Sequence, residues 1–448
     1  MGNESYGFFT RKDLIRLIVP LLLEQLLMML IGISDTFFAS YAGEAAVSGV
    51  SLVNSFNTVF IYLFTALSSG GAVVISQYVG NRAPDKAGEA ASQLLSISIV
   101  SSLVIAVLTL ACSRPLLRLL FGSVKPDVME ACETYLLISA YSYPALAVYN
   151  AGAAIYRSIG RTSVPMYVST ISNVINVLAC MAGVFVMHAG VAGVAWPSLI
   201  ARVFSAVVIT ACCFSHRLDV RYRVKWIWEW NVPMLKRVFS IALPNGAENG
   251  VHQLVKVALS SLVALFGTYQ IAANGVAQSI WSLASLSGLA MGPAFTTVIG
   301  QCMGAGDTKA AAYYFKKLLN YTLWLSIVWN ALVFVLTPVF MHFYALSPGT
   351  KHLVVMLVLV NNVFNAVVFP YAGPLGNGLR AAGDVRWTMV VSILLTVGVR
   401  LLCSWFLGVY LRLGVMGIAW GMNIDLAIRA IMFMKRLRSQ KWQQFRVI

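Results

Sequence analysis

Long apolar stretches, separated by short polar breaks, recur from one end of the chain to the other. A helix needs about 20 apolar residues to cross a bilayer, and each of these stretches reaches that length. They lie at residues 14–40, 46–79, 88–112, 130–156, 163–187, 190–214, 236–265, 270–303, 313–336, 351–379, 387–409 and 413–434. The pattern predicts an all-α integral membrane protein with about twelve transmembrane helices, and its loops are too short to hold a soluble catalytic domain.

One connector differs from the others because it is basic and rich in tryptophan. Between residues 215 and 233 lie Arg217, Arg221, Arg223, Lys225, Trp226, Trp228 and Trp230. Tryptophan and basic side chains favour the cytoplasmic membrane–water interface. We therefore predict a first bundle at residues 1–214, a cytoplasmic linker at 215–233 and a second bundle at 234–448.

Composition agrees with a membrane protein. Hydrophobic residues make up 59% of the chain and charged residues only 11%, against roughly 25% charged residues in soluble domains. The net charge of +16 does not indicate a nucleic-acid partner, because nucleic-acid-binding proteins collect Lys and Arg on one face or tail. Here the basic residues sit at predicted helix ends, so the expected partner is the lipid bilayer.

The basic residues also predict the orientation of the chain. Arg82 and Lys86 follow the second predicted span, Arg380 and Arg386 follow the tenth, and Arg11 precedes the first. All of these positions fall on the same side of the membrane, and cytoplasmic loops carry the excess of Lys and Arg. We expect a multi-pass protein of the cytoplasmic (inner) membrane with both termini in the cytoplasm.

The two halves of the chain repeat each other. Matching residues separated by half of the 448-residue length are Pro20 and Pro244, Glu24 and Glu248, Gly43 and Gly267, and Gln77 and Gln301. With one residue less between them, Arg157 matches Arg380 and Gly160 matches Gly383, and residues 190–196 again match 414–420 at the original spacing. Because each half holds six predicted spans, the repeat is parallel. Transporters built this way bind substrates near the bilayer midplane at the repeat interface, although a duplicated channel would show the same repeat.

In their order and spacing, these motifs resemble the multidrug and toxic compound extrusion (MATE) family over nearly the whole chain. The matching strings are Val19-Pro20, Asp35-Thr36-Phe37 and residues 77–80 and 157–162, with counterparts at 243–249, 301–307 and 379–384. The resemblance implies a V-shaped pair of six-helix bundles that exports organic cations and other xenobiotics, driven by inward Na⁺ or H⁺. We expect a monomer that needs no cofactor.

Asp35 is the residue to which we assign the coupling chemistry. A carboxylate at membrane depth must be protonated, paired or bound to a cation. Pro20, earlier on the same helix, weakens the backbone, so we predict Pro20 and its repeat partner Pro244 as hinges. The family's first-helix Asp matches Asp35 by motif and has a coupling role. The simpler alternative is that Asp35 caps the helix or pairs with a basic residue.

Asn173 and Asn176, on the fifth predicted span, are the expected partners of Asp35. Related proteins carry an Asp four residues after the Asn that Asn176 matches, but Cys180 stands at that position here. Amide oxygens can serve Na⁺ or a hydrogen-bonded proton carrier. With a single carboxylate, H⁺ is at least as strong a candidate as Na⁺, and we expect no other metal.

In the second half, Glu248, His252 and Lys256 are spaced by four residues and so share one face of a helix. An acid, an imidazole and an amine in line could relay protons, because His titrates near neutral pH. The alternative is a buried Glu248–Lys256 pair that neutralises itself, with His252 as a neighbour.

Further polar residues at membrane depth are candidates for the lining of a substrate cavity. They are Glu24, Asn54, Asn274, Gln278, Asn361, Asn362 and Asn365. Each amide could instead form an interhelical hydrogen bond, worth about 0.6 kcal/mol on average. Glu24 and Glu248 share their place after a proline and could hold the first helix of each half in its bundle.

The function predicted from these features is antiport: export of amphipathic, often cationic compounds by alternating access, with inward movement of H⁺ or Na⁺. The chain has no G-x-x-x-x-G-K-[ST] motif, which argues against direct use of ATP. A lipid-linked glycan flippase of the same superfamily is the alternative transporter. An integral-membrane enzyme is a weaker alternative, because the five His residues lie in no catalytic motif.

Overall fold

The computed structural model describes residues 7–121, 125–216, 218–343, 347–445 and 447–448, and Arg217 of the predicted linker lies outside them. Within these residues the chain forms helices joined by short connections. The α-helices, in chain order, are α1 Arg11–Tyr41, α2 Glu44–Gly80, α3 Pro84–Ala111, α4 Ser113–Phe121, α5 Pro126–Ser158, α6 Ser163–Met181, α7 Ala192–Cys213, α8 Val224–Trp228, α9 Val232–Ala264, α10 Thr268–Ala284, α11 Leu286–Gly304, α12 Thr308–Phe343, α13 Pro348–Val367, α14 Phe369–Ala372, α15 Pro374–Ala381, α16 Val385–Leu394, α17 Leu401–Trp405 and α18 Val415–Arg438. Wider π-type turns extend three of them at Ala182–Val186, Leu395–Arg400 and Phe406–Tyr410, and a 3₁₀ turn lies at Lys441–Gln444.

The all-helical membrane fold predicted from the sequence is confirmed. Among the described residues, ten helical segments are long and apolar enough to cross a membrane. Two further helices, α5 and α9, have 33 residues each, so the predicted number of about twelve spans is reached. The short helix α4 was not predicted.

The predicted tenth span, residues 351–379, is not one continuous helix. It is divided into α13, α14 and α15. Pro370 and Pro374 lie at the starts of the last two, and a proline cannot donate the backbone hydrogen bond that would continue the preceding helix.

The chain forms two compact units. One contains Arg11–Leu243, and the other contains residues 7–10 together with Pro244–Ile448. The boundary lies inside α9, immediately before the predicted hinge Pro244. The first part of α9 packs on α2, since a Cβ at Gly70 would lie 2.8 Å from the carbonyl oxygen of Val238. Residues 215–233 are the proposed linker, and this segment forms its contacts with the first unit.

Each unit has its own apolar core. In the first, Phe38 of α1 packs with Val50 of α2, Leu136 of α5 and Val194 of α7. In the second, Val255 of α9 packs in a cluster with Ile280, Val358 and Ile418 of α10, α13 and α18. Burial of these side chains gives each half a separate folding core.

Gln93 of α3 fastens the tryptophan-rich segment to the first unit. The Gln93 side chain is fully buried at 0% exposure. Its Nε2 donates to the carbonyl oxygens of Trp226 at 2.6 Å and Glu229 at 2.7 Å, and its Oε1 accepts from the backbone N–H of Asn231 at 3.1 Å. One side chain thus satisfies three backbone groups of a segment that has little regular structure of its own.

Two repeated glycines explain how corresponding helices end. Gly160, after α5, and Gly383, after α15, have φ values of 77° and 101°, a conformation that glycine adopts without the steric penalty of a Cβ. The backbone N–H of the next residue reaches back across each turn, from Arg161 to Tyr156 and from Asp384 to Leu379. The repeated Arg-x-x-Gly motif therefore includes a helix stop.

Glycines also allow two helices to approach closely in each unit. A Cβ on Gly193 of α7 would lie 2.7 Å from the carbonyl oxygen of Gly183, and a Cβ on Gly417 of α18 would lie 2.5 Å from the backbone nitrogen of Gly408. Gly193 and Gly417 are repeat partners within the matching 190–196 and 414–420 segments. Small residues at helix contacts stabilise membrane bundles because they let backbones meet.

Replacing Gly193 with alanine is expected to destabilise the first unit. The new methyl group has no room, and overpacking of this kind costs about 1–3 kcal/mol. Thermal unfolding of the detergent-solubilised protein measures the loss. Gly275→Ala is the control, because a Cβ there meets nothing within 4 Å and alanine favours a helix more than glycine does. Equal losses in the two variants would contradict the close approach.

Candidate functional site

A buried ion pair joins α1 to α5 in the first unit. Nη2 of Arg157 lies 2.6 Å from Oε1 of Glu24, and the hydroxyl of Tyr149 donates to the same oxygen at 2.9 Å. Glu24 is only 2% exposed. A carboxylate at this depth needs such partners, because an unpaired buried charge is strongly destabilising.

The second unit contains the equivalent pair. Nη2 of Arg380 lies 2.5 Å from Oε2 of Glu248, and its Nη1 donates to Oδ1 of Asn377 at 2.9 Å. Both members of this pair are repeat partners of Glu24 and Arg157. These contacts favour the prediction that Glu24 and Glu248 each hold the first helix of their half in its bundle. They favour it over the alternative that Glu24 lines a substrate cavity.

Asp35 lies where α1, α6 and α7 meet. Nδ2 of Asn176 donates to its Oδ1 at 2.9 Å, and the hydroxyl of Ser198 donates to its Oδ2 at 3.4 Å. Asp35 is 8% exposed. Among the described residues it forms no ion pair with a basic side chain. Its hydrogen-bond partners are neutral, in contrast to those of Glu24 and Glu248.

Asn173 and Asn176, about one turn apart on α6, differ in how their side-chain amides are satisfied. Oδ1 of Asn176 lies 3.4 Å from the Ser198 hydroxyl, as an alternative acceptor for its single proton, and 3.8 Å from Sγ of Cys180. Asn173 is 8% exposed, and neither its amide nitrogen nor its amide oxygen has a hydrogen-bond partner in the protein. Leaving a buried polar group unpaired costs about 1–3 kcal/mol. The Asn173 amide is therefore available to a ligand.

Two neighbours of this site were missed by sequence reasoning. Ser198 contacts both Asp35 and Asn176, but a serine in a helix carries no distinctive signal. Arg202, one turn later on α7, donates to Oγ of Ser142 at 2.6 Å and forms no ion pair with Asp35. An in-span arginine was visible in the sequence, but its distance from Asp35 was not.

The three residues predicted to share one face of α9 do not act together in the structure. Glu248 is bonded to Arg380, His252 has its Nδ1 3.5 Å from Nη1 of Arg400, and Lys256 is exposed. Neither a Glu248–Lys256 pair nor a line of three bonded groups is present. A spacing of four residues turns about 40° at each step along a helix, which carries Lys256 away from the buried side.

The asparagines of α13 are buried and form hydrogen bonds to neighbouring helices of the second unit. Asn365 donates to Oδ1 of Asn330 at 3.1 Å, Asn362 donates to the Asn330 carbonyl at 3.4 Å, and Asn361 accepts from Asn423 at 3.0 Å. All three α13 residues are at most 5% exposed. The interhelical alternative fits them better than cavity lining.

The fold and these sites define a class: a multi-pass transporter of two repeated six-helix units, with one buried carboxylate free of an ion pair among the described residues. The MatE family model matches residues 20–182 and 244–406, one match in each half. The chain belongs to this family of multidrug efflux transporters, whose members are secondary transporters rather than enzymes.

Known proteins of this family are similar to the chain over nearly its full length. The chain is 24% identical to the uncharacterized transporter YisQ of Bacillus subtilis, covering 95% of this chain and 93% of that protein. It is 22% identical to the probable multidrug resistance protein NorM of Thermotoga maritima, covering 98% and 94%. A solved outward-facing multidrug resistance MATE family transporter of the MOP superfamily matches its fold with a TM-score of 0.89 at 19% identity, covering 96% of each chain.

Glu24→Gln is expected to lower the stability of the protein by about 3–5 kcal/mol, because it leaves Arg157 as a buried charge without its partner. A thermal unfolding series in detergent measures the effect. Adding Arg157→Met to Glu24→Gln should recover part of the loss, because the uncompensated charge is then removed. Glu44→Gln, at an exposed position in the first turn of α2, is the matched control. A double variant less stable than Glu24→Gln would contradict the pairing.

Proposed function

We propose that the protein is a cation-coupled antiporter that exports amphipathic, often cationic compounds by alternating access. Asp35 carries the proposal. It is a buried carboxylate whose direct partners are an amide and a hydroxyl, so its charge is left for a cation to neutralise. Intramembrane ionisable residues without structural partners are functional candidates by default.

Asn173 and Asn176 complete the proposed coupling site. An H⁺ would bind to Asp35 directly, and the hydrogen bond from Asn176 would hold the carboxylate in place in the unprotonated state. A Na⁺ would need more oxygen ligands, which the unpartnered amide oxygen of Asn173 and the carboxylate oxygens can supply. Both ions remain candidates.

Within each unit, the amides that are only half-buried are the proposed contacts for the transported compound. Asn54 of α2 accepts from the Tyr135 hydroxyl at 3.2 Å. Asn274 and Gln278, one turn apart on α10, are half-buried as well, and Nε2 of Gln278 lies 3.9 Å from Sδ of Met422. Amide and thioether groups of this kind suit adaptable binding of varied small molecules.

The proposed setting is the cytoplasmic membrane, with the basic loops and both termini in the cytoplasm and the protein acting as a monomer. The distribution of Lys and Arg supports this orientation. The proposed hinges are Pro20 and Pro244, and the unit boundary immediately before Pro244 is the observation that favours the second.

Asp35→Asn is expected to abolish gradient-driven efflux while leaving the protein folded. The amide oxygen can still accept from Asn176 and the new NH2 group can donate to the Ser198 oxygen, but the amide cannot take up H⁺ or neutralise Na⁺. Efflux of a fluorescent cation from an efflux-deficient bacterial host, or from proteoliposomes with imposed Na⁺ and pH gradients, measures the effect. Imposing the Na⁺ gradient and the pH gradient in separate experiments identifies the coupling ion.

The matched control is Asp127→Asn, which removes an exposed carboxylate from the first turn of α5. It should transport like the original protein. Efflux by the original protein that responds to neither gradient, or efflux that is the same in the original protein and in Asp35→Asn, would contradict the antiport proposal.

Asn173→Leu separates a ligand from a structural residue. Leucine has the same branched heavy-atom skeleton and removes a buried amide that has no protein partner, so thermal stability is expected to stay the same or rise. Transport driven by a Na⁺ gradient should fall at least about tenfold if Asn173 supplies a ligand, because tenfold corresponds to a modest 1.4 kcal/mol. Full Na⁺-driven transport by this variant would exclude Asn173 from a Na⁺ site.

A further inference from the structure

The second unit buries two arginines around a single carboxylate. Nη2 of Arg400 lies 2.6 Å from Oδ2 of Asp425, and Nη2 of Arg429 lies 3.0 Å from Oδ1 of the same residue. Asp425 is 0% exposed, Arg400 5% and Arg429 8%. Two cations and one anion leave this cluster with an excess positive charge.

The neighbours of the cluster do not remove that excess. Arg429 also donates to the hydroxyl of Thr396 at 2.7 Å, which is a neutral partner, and its Nε is buried without any hydrogen-bond partner. The only other membrane-depth acid named in this unit, Glu248, is paired with Arg380. A buried charge that lacks a counterion is strongly destabilising, so the cluster attracts an anion.

His252 of α9 contacts the cluster and is partly exposed, and Lys256 follows one turn later on the same helix. Nη1 of Arg400 lies 3.5 Å from Nδ1 of His252, and in the tautomer whose Nδ1 accepts from this guanidinium the ring proton is on Nε2. The ring thus keeps one donor for a ligand. Lys256, one turn further along α9, is exposed and forms no ion pair among the described residues. A lysine within an apolar span faces water rather than acyl chains, because contact with lipid is costly.

The repeat shows that this region has the opposite polarity from its counterpart. Half of the 448-residue chain length separates Asp35 from Leu259. Asn176 and Arg400 lie on corresponding spans, the fifth and the eleventh of the sequence. Where the first unit places an acid against an amide, the second places an apolar side chain and a guanidinium. The same part of the scaffold is therefore suited to a cation in the first unit and to an anion in the second.

We propose that the second unit binds an oxyanion group of the transported compound at the surface formed by His252 and Lys256 beside Arg400. The ammonium group of Lys256 and the ring N–H of His252 are the direct contacts, and Arg400 supplies positive charge behind them. The anion site rests on the proposed efflux function and narrows its substrates to amphipathic molecules that carry a carboxylate, phosphate or sulfonate, alone or together with a cationic group.

Two dyes that differ only in one charged group test the site. Rhodamine 110 has a free carboxylate, and rhodamine 123 is its methyl ester. Binding of each dye to the purified full-length protein in lipid nanodiscs is followed by fluorescence anisotropy, without any ion gradient. The original protein is expected to prefer the free acid.

Lys256→Met should reduce this preference by about three- to fivefold, which is the upper range for a solvent-exposed charge pair, while Lys256→Arg should retain it. Lys309→Met is the matched control, because it removes an exposed lysine from the first turn of α12. Arg400→Gln is expected to lower the preference as well, and the Lys256 variants decide the test if Arg400→Gln does not fold. Equal binding of both dyes by the original protein, or an unchanged preference in Lys256→Met, would overturn the proposal.

The dye-binding preference is expected to be independent of ion coupling at Asp35. Asp35→Asn should keep the preference for the free acid while it loses gradient-driven efflux. If the preference is present but the original protein shows no gradient-driven efflux, the proposed antiport fails and the anion site stands. If efflux follows a gradient but both dyes bind equally, the anion site alone fails.

Discussion

The cost of burying charge in a membrane is the constraint on which this structure depends. Each unit meets it in the same way, with a glutamate on its first long helix bonded to an arginine, Glu24 to Arg157 and Glu248 to Arg380. These contacts join segments more than a hundred residues apart in the sequence, and the helices around them are otherwise held by weak apolar contacts and close-packed glycines. Removing either partner leaves a charge that the bundle cannot solvate.

Once these pairs are satisfied, the charges that remain mark where the halves differ. Asp35 is left in the first unit with neutral partners, and Arg400 and Arg429 share Asp425 in the second. A duplicated scaffold supplies equivalent positions, but it does not require equivalent chemistry at them. The two proposed sites follow from this difference: one unit has a buried acid without an ion-pair partner among the described residues, and the other has two arginines that share a single acid.

The sequence was sufficient for the fold, because spans, repeat and charge distribution are all set by local composition and spacing. It also identified every member of the two ion pairs through the repeat. It could not show that Glu24 meets Arg157, because pairing between distant helices depends on their packing. The same limit explains the errors on α9. A shared helix face suggested a Glu248–Lys256 contact, but in the folded protein Glu248 is bonded to Arg380 and His252 lies beside Arg400. Ser198 gave no signal, since its role depends only on the position of α7 next to Asp35.

The order of residues along α1 constrains how a signal from Asp35 can travel. The proposed hinge Pro20 and the proposed coupling residue Asp35 lie on opposite sides of Glu24, which is anchored to α5 through Arg157. As long as that pair holds, a change at Asp35 acts first on the part of α1 beyond Glu24. This part contains Gly32, where a Cβ would meet nothing within 4 Å, and glycine is a common point of helix bending. Movement at Pro20 that is driven from Asp35 through α1 would therefore have to carry the Glu24–Arg157 pair, and α5 with it. Coupling through α1 alone would bend the helix between Glu24 and Asp35 instead.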